Sequence, residues 1–179
     1  MTLSRAAASL SAPDRFLMHR LNRWHPPRWI RVWMLAATRA GDGWLWWCCG
    51  LAVLASNDAG RHQALAAAGM AVLAGICSFK ILKRAVGRKR PCALEPHSWS
   101  NLLPPDQFSF PSGHSITAFA VITSLGTFYP SAVPVLLFCA ASVAVSRVIL
   151  GMHFLSDVVV GSGLGAMLGY AAALLIRNA

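Results

Sequence analysis

Five predominantly apolar runs stand out along the chain, at roughly 43–57, 63–82, 113–129, 132–150 and 157–176, separated by shorter polar stretches. A helix needs about 20 apolar residues to cross the hydrocarbon core of a bilayer, with about 17 as the lower limit. Four of the runs reach that length. The first is short and reaches it only by beginning in the 30s, with Arg31 or Arg39 snorkelling to the interface. The pattern predicts an all-α, polytopic membrane helical bundle of about five transmembrane helices.

The N-terminal stretch has a different pattern. Residues 13–40 hold Phe16, Leu17, Leu21, Trp24, Trp29, Ile30, Trp33 and Met34 among arginines and histidines. Such alternation predicts one or two amphipathic helices lying on the membrane interface, broken at Pro26-Pro27. The chain accordingly divides into an N-terminal interfacial segment, 1–42, and a membrane-embedded domain, 43–179. Trp44, Trp46 and Trp47 stand where an aromatic belt would lie. Gly161, Gly165 and Gly169 recur at four-residue spacing and predict a close helix–helix contact inside the bundle. From Lys83 to Phe110 the chain is polar and proline-rich, and reads as an irregular loop with a short helix.

Composition supports the membrane assignment. Apolar residues make up 56% of the chain and charged ones 12%, about half the charged share of a soluble domain. The net charge of +10 raises the question of nucleic acid. The basic residues flank apolar runs, however, and no nucleic-acid motif is present, so a bilayer and an anionic lipid are the expected partners. Cys48, Cys49, Cys77, Cys92 and Cys139 lack metal-ligand spacing and read as buried free thiols.

Three distant polar segments carry chemistry: Lys83 with Arg90-Pro91, then Pro111-Ser112-Gly113-His114, then Ser146-Arg147 with His153 and Asp157. If the spans alternate across the membrane, all three meet on one side. His153 and Asp157 are four apart and share a helical face, so the carboxylate can orient the imidazole for nucleophilic attack. Alone, such a pair is equally a structural helix cap. Ser112 is a plausible N-cap, Gly113 lets an anion approach the backbone, and His114 is placed to act as general acid. The tetrapeptide by itself is equally an ordinary helix start. Lys83, Arg90 and Arg147 would neutralise phosphoryl oxygens. Arg147 interrupts an apolar run, which marks it as functional. Arg84, Arg88 and Lys89 read instead as a solvated or headgroup-facing charge cluster. Only one acidic residue, Asp157, falls within the constellation, so no metal or other cofactor is expected.

The three segments resemble the signature of the type 2 phosphatidic acid phosphatase family: lysine, six residues, Arg-Pro; Pro-Ser-Gly-His; and Ser-Arg, five residues, His, three residues, Asp. Every motif position is matched between residues 83 and 157. The resemblance implies that His153 forms a phosphohistidine, that Asp157 orients it, and that His114 protonates the leaving group. It further implies that Lys83, Arg90, Ser112, Gly113 and Arg147 bind the phosphate, without a metal. A lipid phosphate or diphosphate is the implied substrate. Undecaprenyl diphosphate is the first choice, with phosphatidylglycerophosphate or phosphatidic acid as alternatives. A non-catalytic headgroup-binding subunit would need the cations but has no use for His114, His153 and Asp157 in register.

The side of the membrane is argued both ways. Basic residues crowd the end of the bundle that carries the site, which the positive-inside rule would place in the cytoplasm of a bacterial inner membrane. Resemblance to carrier-lipid recycling enzymes tips the expectation to the periplasmic face.

Overall fold

The computed structural model describes residues 12–95 and 106–179. The prolines at 96, 104 and 105, and residues 1–11, lie outside them. The helices run α1 (Ala12–Arg23), α2 (Arg28–Ala40), α3 (Trp44–Ala55), α4 (Arg61–Val86), a single turn at Pro91–Leu94, α5 (Gly113–Phe128), α6 (Val133–Ile149) and α7 (Leu155–Arg177). A 3₁₀ turn, Pro130–Ala132, leads into α6. The N-terminal segment forms two helices, separated at 24–27 by Pro26-Pro27 as the pattern predicts.

Among the described residues three helices, Arg61–Val86, Pro130–Ile149 and Leu155–Arg177, are long and apolar enough to cross a membrane. Their outward faces carry Leu73, Ile81, Val135, Phe138, Val159, Val160, Met167 and Leu175, all exposed. In water such a surface would be a liability, and in a bilayer it is the expected lipid contact. Helix α5 packs against α4, α6 and α7 and is the hub of the bundle. Its 16 residues extend only about 24 Å, but its neighbours cover most of them. Helix α3, with 12 residues, is the shortened form of the first apolar run.

Close packing at the hub follows from small residues. A Cβ at Gly161, Gly165 or Gly169 would stand 2.8, 2.3 and 2.5 Å from the carbonyl oxygens of Ser112, Ile116 and Ala120. The glycine stripe of α7 therefore lies directly on the backbone of α5, inside the bundle. Ala71, Ala120 and Ala172 pack together where α4, α5 and α7 meet. Near the other end of the bundle, Ala64, Val121, Leu125, Leu136 and Ala140 form the largest apolar cluster.

Two local expectations are corrected. The cysteines are free, but none is fully buried, and Cys48 and Cys77 are exposed on outward-facing helix surfaces. A thiol is small and apolar enough to face lipid as readily as core. Of the three tryptophans at the start of α3, Trp44 and Trp47 are exposed as anchors. Trp46 turns inward against the apolar cluster.

Candidate functional site

The three polar segments converge at one end of the bundle because each sits at a helix terminus. Lys83 is on the last turn of α4, which Gly87 ends in the left-handed conformation at φ 63°. The chain then runs extended through 88–90, pinned to the 106–109 stretch. Lys89 pairs with Phe108 in an antiparallel bridge, and the Ser109 amide donates to Arg88 O at 2.7 Å. Alternation along this extended piece buries Arg88 and Arg90 and exposes Lys89.

His153 lies in the turn between α6 and α7, fully enclosed. Its backbone amide and that of Met152 both donate to Arg147 O at 3.0 Å, closing the turn. Its Nδ1 lies 2.6 Å from Ser109 O. A carbonyl only accepts, so Nδ1 carries the hydrogen and Nε2 keeps its lone pair. Nε2 lies 3.0 Å from Arg90 Nη1. Burial, reinforced by the Arg90 and Arg147 charges and opposed by Asp157, lowers the His153 pKa to about 3. The imidazole is therefore neutral, as a nitrogen nucleophile must be.

Asp157 is buried, with Oδ2 3.7 Å from His153 Nδ1. Its tighter contacts are elsewhere: Oδ2 accepts from the Phe154 amide at 2.9 Å and Oδ1 from Arg88 Nη1 at 2.6 Å. The nearer orienting partner of His153 is thus the Ser109 carbonyl, while Asp157 fixes the start of α7 and adds negative charge close by.

Arg88 is not a solvated charge. It is buried between two carboxylates, donating to Asp157 and, through Nη2, to Asp14 Oδ2 at 2.7 Å. Asp14 also accepts from the Ser156 hydroxyl at 2.6 Å and amide at 3.1 Å. The N-terminal helix α1 is thereby tied to the start of α7. Arg84 and Lys89 are exposed, as expected. Arg88 was legible in principle, since it stands two residues from Arg90 on what becomes an extended segment.

The cations gather around Asp106. Lys83 Nζ lies 2.5 Å from its Oδ2, and Arg90 Nη2 2.9 Å from its Oδ1. Burial pushes the Asp106 carboxyl up, but the hydrogen bonds and charges of Lys83 and Arg90 outweigh this and hold it below the usual carboxylate range. Arg90 is further fixed by the carbonyls of Asp106 and Met152, at 2.9 and 2.8 Å. Arg147 is buried and donates from Nη1 to Thr38 of α2. Among the described residues its Nε has no hydrogen-bond partner, which leaves a donor for an anion. Ser112 caps α5, its hydroxyl oxygen accepting from the Ser115 amide and hydroxyl at 3.4 and 2.9 Å. His114 Nε2 lies 2.7 Å from Asp42 Oδ1. Asp157 is therefore not the sole acidic residue here: Asp42 and Asp106 join it, brought by loops that no local motif marks.

Lys83, Arg90, Gly113 and His114 line one end of a cavity of about 640 Å3 between α3, α4 and α5. Its other walls are mostly apolar, with Trp46, Leu65, Val72, Ile76, Val121 and Leu125 among them. From Lys83 to Leu65 it follows α4 for 18 residues, about 27 Å, close to the full depth of a hydrocarbon core. A cationic pocket at the membrane surface thus opens into an apolar groove that runs beside it into the bilayer. His153 does not line this cavity; it lies behind Arg90, its Nε2 3.0 Å from Arg90 Nη1.

Known proteins are similar to this chain in sequence and in fold. The decaprenylphosphoryl-5-phosphoribose phosphatase of Mycobacterium tuberculosis is 36% identical over 145 residues, which cover 78% of each chain. Two crystal structures share the fold at 22% identity. LpxE of Aquifex aeolicus has a TM-score of 0.76 over 96% of this chain and 98% of that one. The transmembrane PAP2 type phosphatidylglycerolphosphate phosphatase of Bacillus subtilis has a TM-score of 0.72 over 98% and 92%. The model of the PAP2 superfamily matches residues 63–179, spanning all three polar segments, and the chain belongs to that superfamily.

Proposed function

We propose that this protein is a membrane lipid phosphate phosphatase that works through a phosphohistidine on His153, with protein cations supplying the charge that a metal supplies elsewhere. The observation that carries the reading is the Nδ1 contact of His153 with Ser109 O at 2.6 Å. It leaves the Nε2 lone pair directed at the Arg90 end of the cationic pocket. Lys83, Arg90 and Arg147 hold the phosphoryl oxygens, and the free α5 amides around Gly113 add to them. His153 Nε2 attacks phosphorus as the lipid oxygen departs with a proton from His114. His114 then takes a proton from water as that water attacks phosphorus, the N–P bond breaks, and inorganic phosphate leaves.

Asp106 occupies Lys83 and Arg90 when no phosphate does, so substrate binding exchanges one anion for another. A phosphate monoester carries about −1.5 to −2 at neutral pH, so it outcompetes a single carboxylate for the two cations.

The groove selects the lipid. It is deep, following α4 for about 27 Å, and offers a bed for one long apolar chain. That favours a polyprenyl-linked phosphate. The relative matched over most of its length acts on decaprenylphosphoryl-5-phosphoribose, so a polyprenyl-linked sugar phosphate becomes the first choice and undecaprenyl diphosphate the next.

The test is phosphate release by the purified protein in detergent with EDTA, from decaprenylphosphoryl-5-phosphoribose, undecaprenyl diphosphate, phosphatidylglycerophosphate, phosphatidic acid and a soluble ester. A rapid quench in alkali, where phosphohistidine survives, should trap label from ³²P-substrate on the wild type and none on His153→Ala. Turnover by His153→Ala near the wild-type rate sinks the mechanism. Preference for a glycerophospholipid sinks the assignment of the groove.

A further inference from the structure

The Gly41-Asp42-Gly43 turn between α2 and α3 lies upstream of residues 63–179, which the superfamily model matches. Its geometry is specific. A Cβ at Gly41 would come within 2.7 Å of Val143 Cγ1 and 3.2 Å of His114 Cδ2, so glycine lets the turn lie against the α5 histidine without displacing either side chain. Gly43 has a φ of 134°, which L side chains rarely adopt. Between them Asp42 projects its carboxylate, half-exposed, onto His114 Nε2 at 2.7 Å. Both glycines serve to deliver that contact.

From this geometry we infer that Asp42 is a positioning residue for proton transfer by His114, a part played for that histidine by no residue of the three motifs. The inference rests on the reading of His114 as the acid that protonates the leaving oxygen. A carboxylate only accepts, so Nε2 carries a hydrogen and Nδ1 is the nitrogen left for exchange. To donate, His114 must hold a second proton and become an imidazolium. Burial of the ring opposes this, and so do the nearby Arg147 and Lys83 charges. Asp42 supplies the compensating negative charge and fixes the ring, as the carboxylate of a catalytic triad does for its histidine. When Nδ1 gives its proton to the lipid oxygen, the ring returns to its neutral form with Nε2–H still on Asp42. It is then set to take a proton from the attacking water.

The experiment compares kcat/KM for two phosphate monoesters in the purified full chain: a long-chain alkyl phosphate and 4-nitrophenyl phosphate. An alkoxide needs a proton to depart, whereas nitrophenolate leaves without one. Asp42→Asn should cut kcat/KM on the alkyl ester by about 100-fold, and on the aryl ester by less than about 10-fold. Asp42→Glu should recover much of the loss. His114→Asn is run beside it. Selective loss in His114→Asn without selective loss in Asp42→Asn overturns the role of Asp42 and leaves the acid in place. Equal loss on both esters in His114→Asn overturns the acid reading itself. Equal loss on both esters in Asp42→Asn assigns Asp42 a structural part and overturns the inference. Should Asp42→Asn fail to accumulate, Asp42→Ser keeps a small polar residue in the turn and is read against the same outcomes.

Discussion

His153 is oriented by Ser109, 44 residues away in sequence, through an Nδ1 to carbonyl distance of 2.6 Å, while Asp157 lies 3.7 Å from the same nitrogen. In a serine-protease triad the carboxylate sets the tautomer, and its replacement by the amide costs about 10⁴ in kcat. Here a backbone carbonyl sets the tautomer, and side-chain substitution cannot remove it. Asp157→Asn should therefore lower kcat by only about 10- to 100-fold, through lost charge beside the cationic phosphohistidine. His153→Ala should remove all turnover. Steady-state rates of the two purified variants check this. A loss in Asp157→Asn as complete as that in His153→Ala would return the orienting role to the carboxylate.

Arg88 bridges Asp14 and Asp157, both buried, at 2.7 and 2.6 Å. Removing it takes the shared cation from two enclosed carboxylates, a change that costs about 3–5 kcal/mol in buried ion pairs. Arg88→Ala should unfold well below the wild type in detergent, followed by tryptophan fluorescence. Arg88→Lys should fall between, because one ammonium cannot fork between two carboxylates. Asp14→Asn should also destabilise, tying the N-terminal helix to the catalytic end. If it unfolds with the wild type, that tie contributes nothing.

The histidines proposed for catalysis and the cations were legible because the family motifs are dense in uncommon residue types and sit at helix ends, where spacing survives folding. The α7 glycine stripe was legible for the same reason, as a periodic pattern on one face. Asp42 and Asp106 were not. Each stands in a loop, where no period relates a residue to its neighbours, and both join the site through contacts 72 and 16 residues apart in sequence. Arg88 was misread because composition alone cannot separate it from Arg84 and Lys89. The left-handed turn at Gly87 and the alternation that follows distinguish them. Ser109 contributes a main-chain carbonyl, and no side-chain pattern can announce that.

The His153 environment makes a prediction about pH. Burial, with the Arg90 and Arg147 charges, sets its pKa at about 3, against about 6.5 for the unfolded chain. Between those values the unfolded state binds the extra proton, so stability rises with pH through this window and is lost as pH falls from 6.5 toward 3. The melting temperature should drop with acidification more steeply in the wild type than in His153→Gln, which has no proton to gain. Parallel pH profiles for the two would mean that burial of the imidazole is not linked to protonation.

Gly165 and Gly163 offer a matched pair on α7. A Cβ at Gly165 would lie 2.3 Å from Ile116 O, whereas one at Gly163 meets nothing within 4 Å. Gly165→Ala must push α7 off α5, at about 1–3 kcal/mol. Gly163→Ala should be neutral or stabilising by about 0.5–1 kcal/mol, since alanine is the better helix former. Thermal unfolding of the two variants separates packing from propensity, and equal effects would remove the α5–α7 contact as the reason for the stripe.

Asp106 tests the proposed exchange of a resident carboxylate for the substrate phosphate. Its carboxylate engages Lys83 and Arg90 at 2.5 and 2.9 Å, two of the cations proposed to hold the phosphate. Asp106→Asn keeps the shape of the site and removes the competing charge. Orthovanadate, a phosphate mimic, should then inhibit about 10-fold more tightly, the equivalent of about 1.4 kcal/mol. The opposite outcome has an equally clear meaning. The Asp106 main-chain carbonyl also accepts from Arg90 Nε at 2.9 Å, so Arg90 stays anchored in this variant. Weaker vanadate binding would therefore assign the side chain to placing Lys83 rather than to holding the phosphate site between turnovers. Running the titration on Lys83→Ala as well separates the two. If Asp106 is the competitor, its substitution should still tighten vanadate binding when Lys83 is absent, because Arg90 remains to be freed.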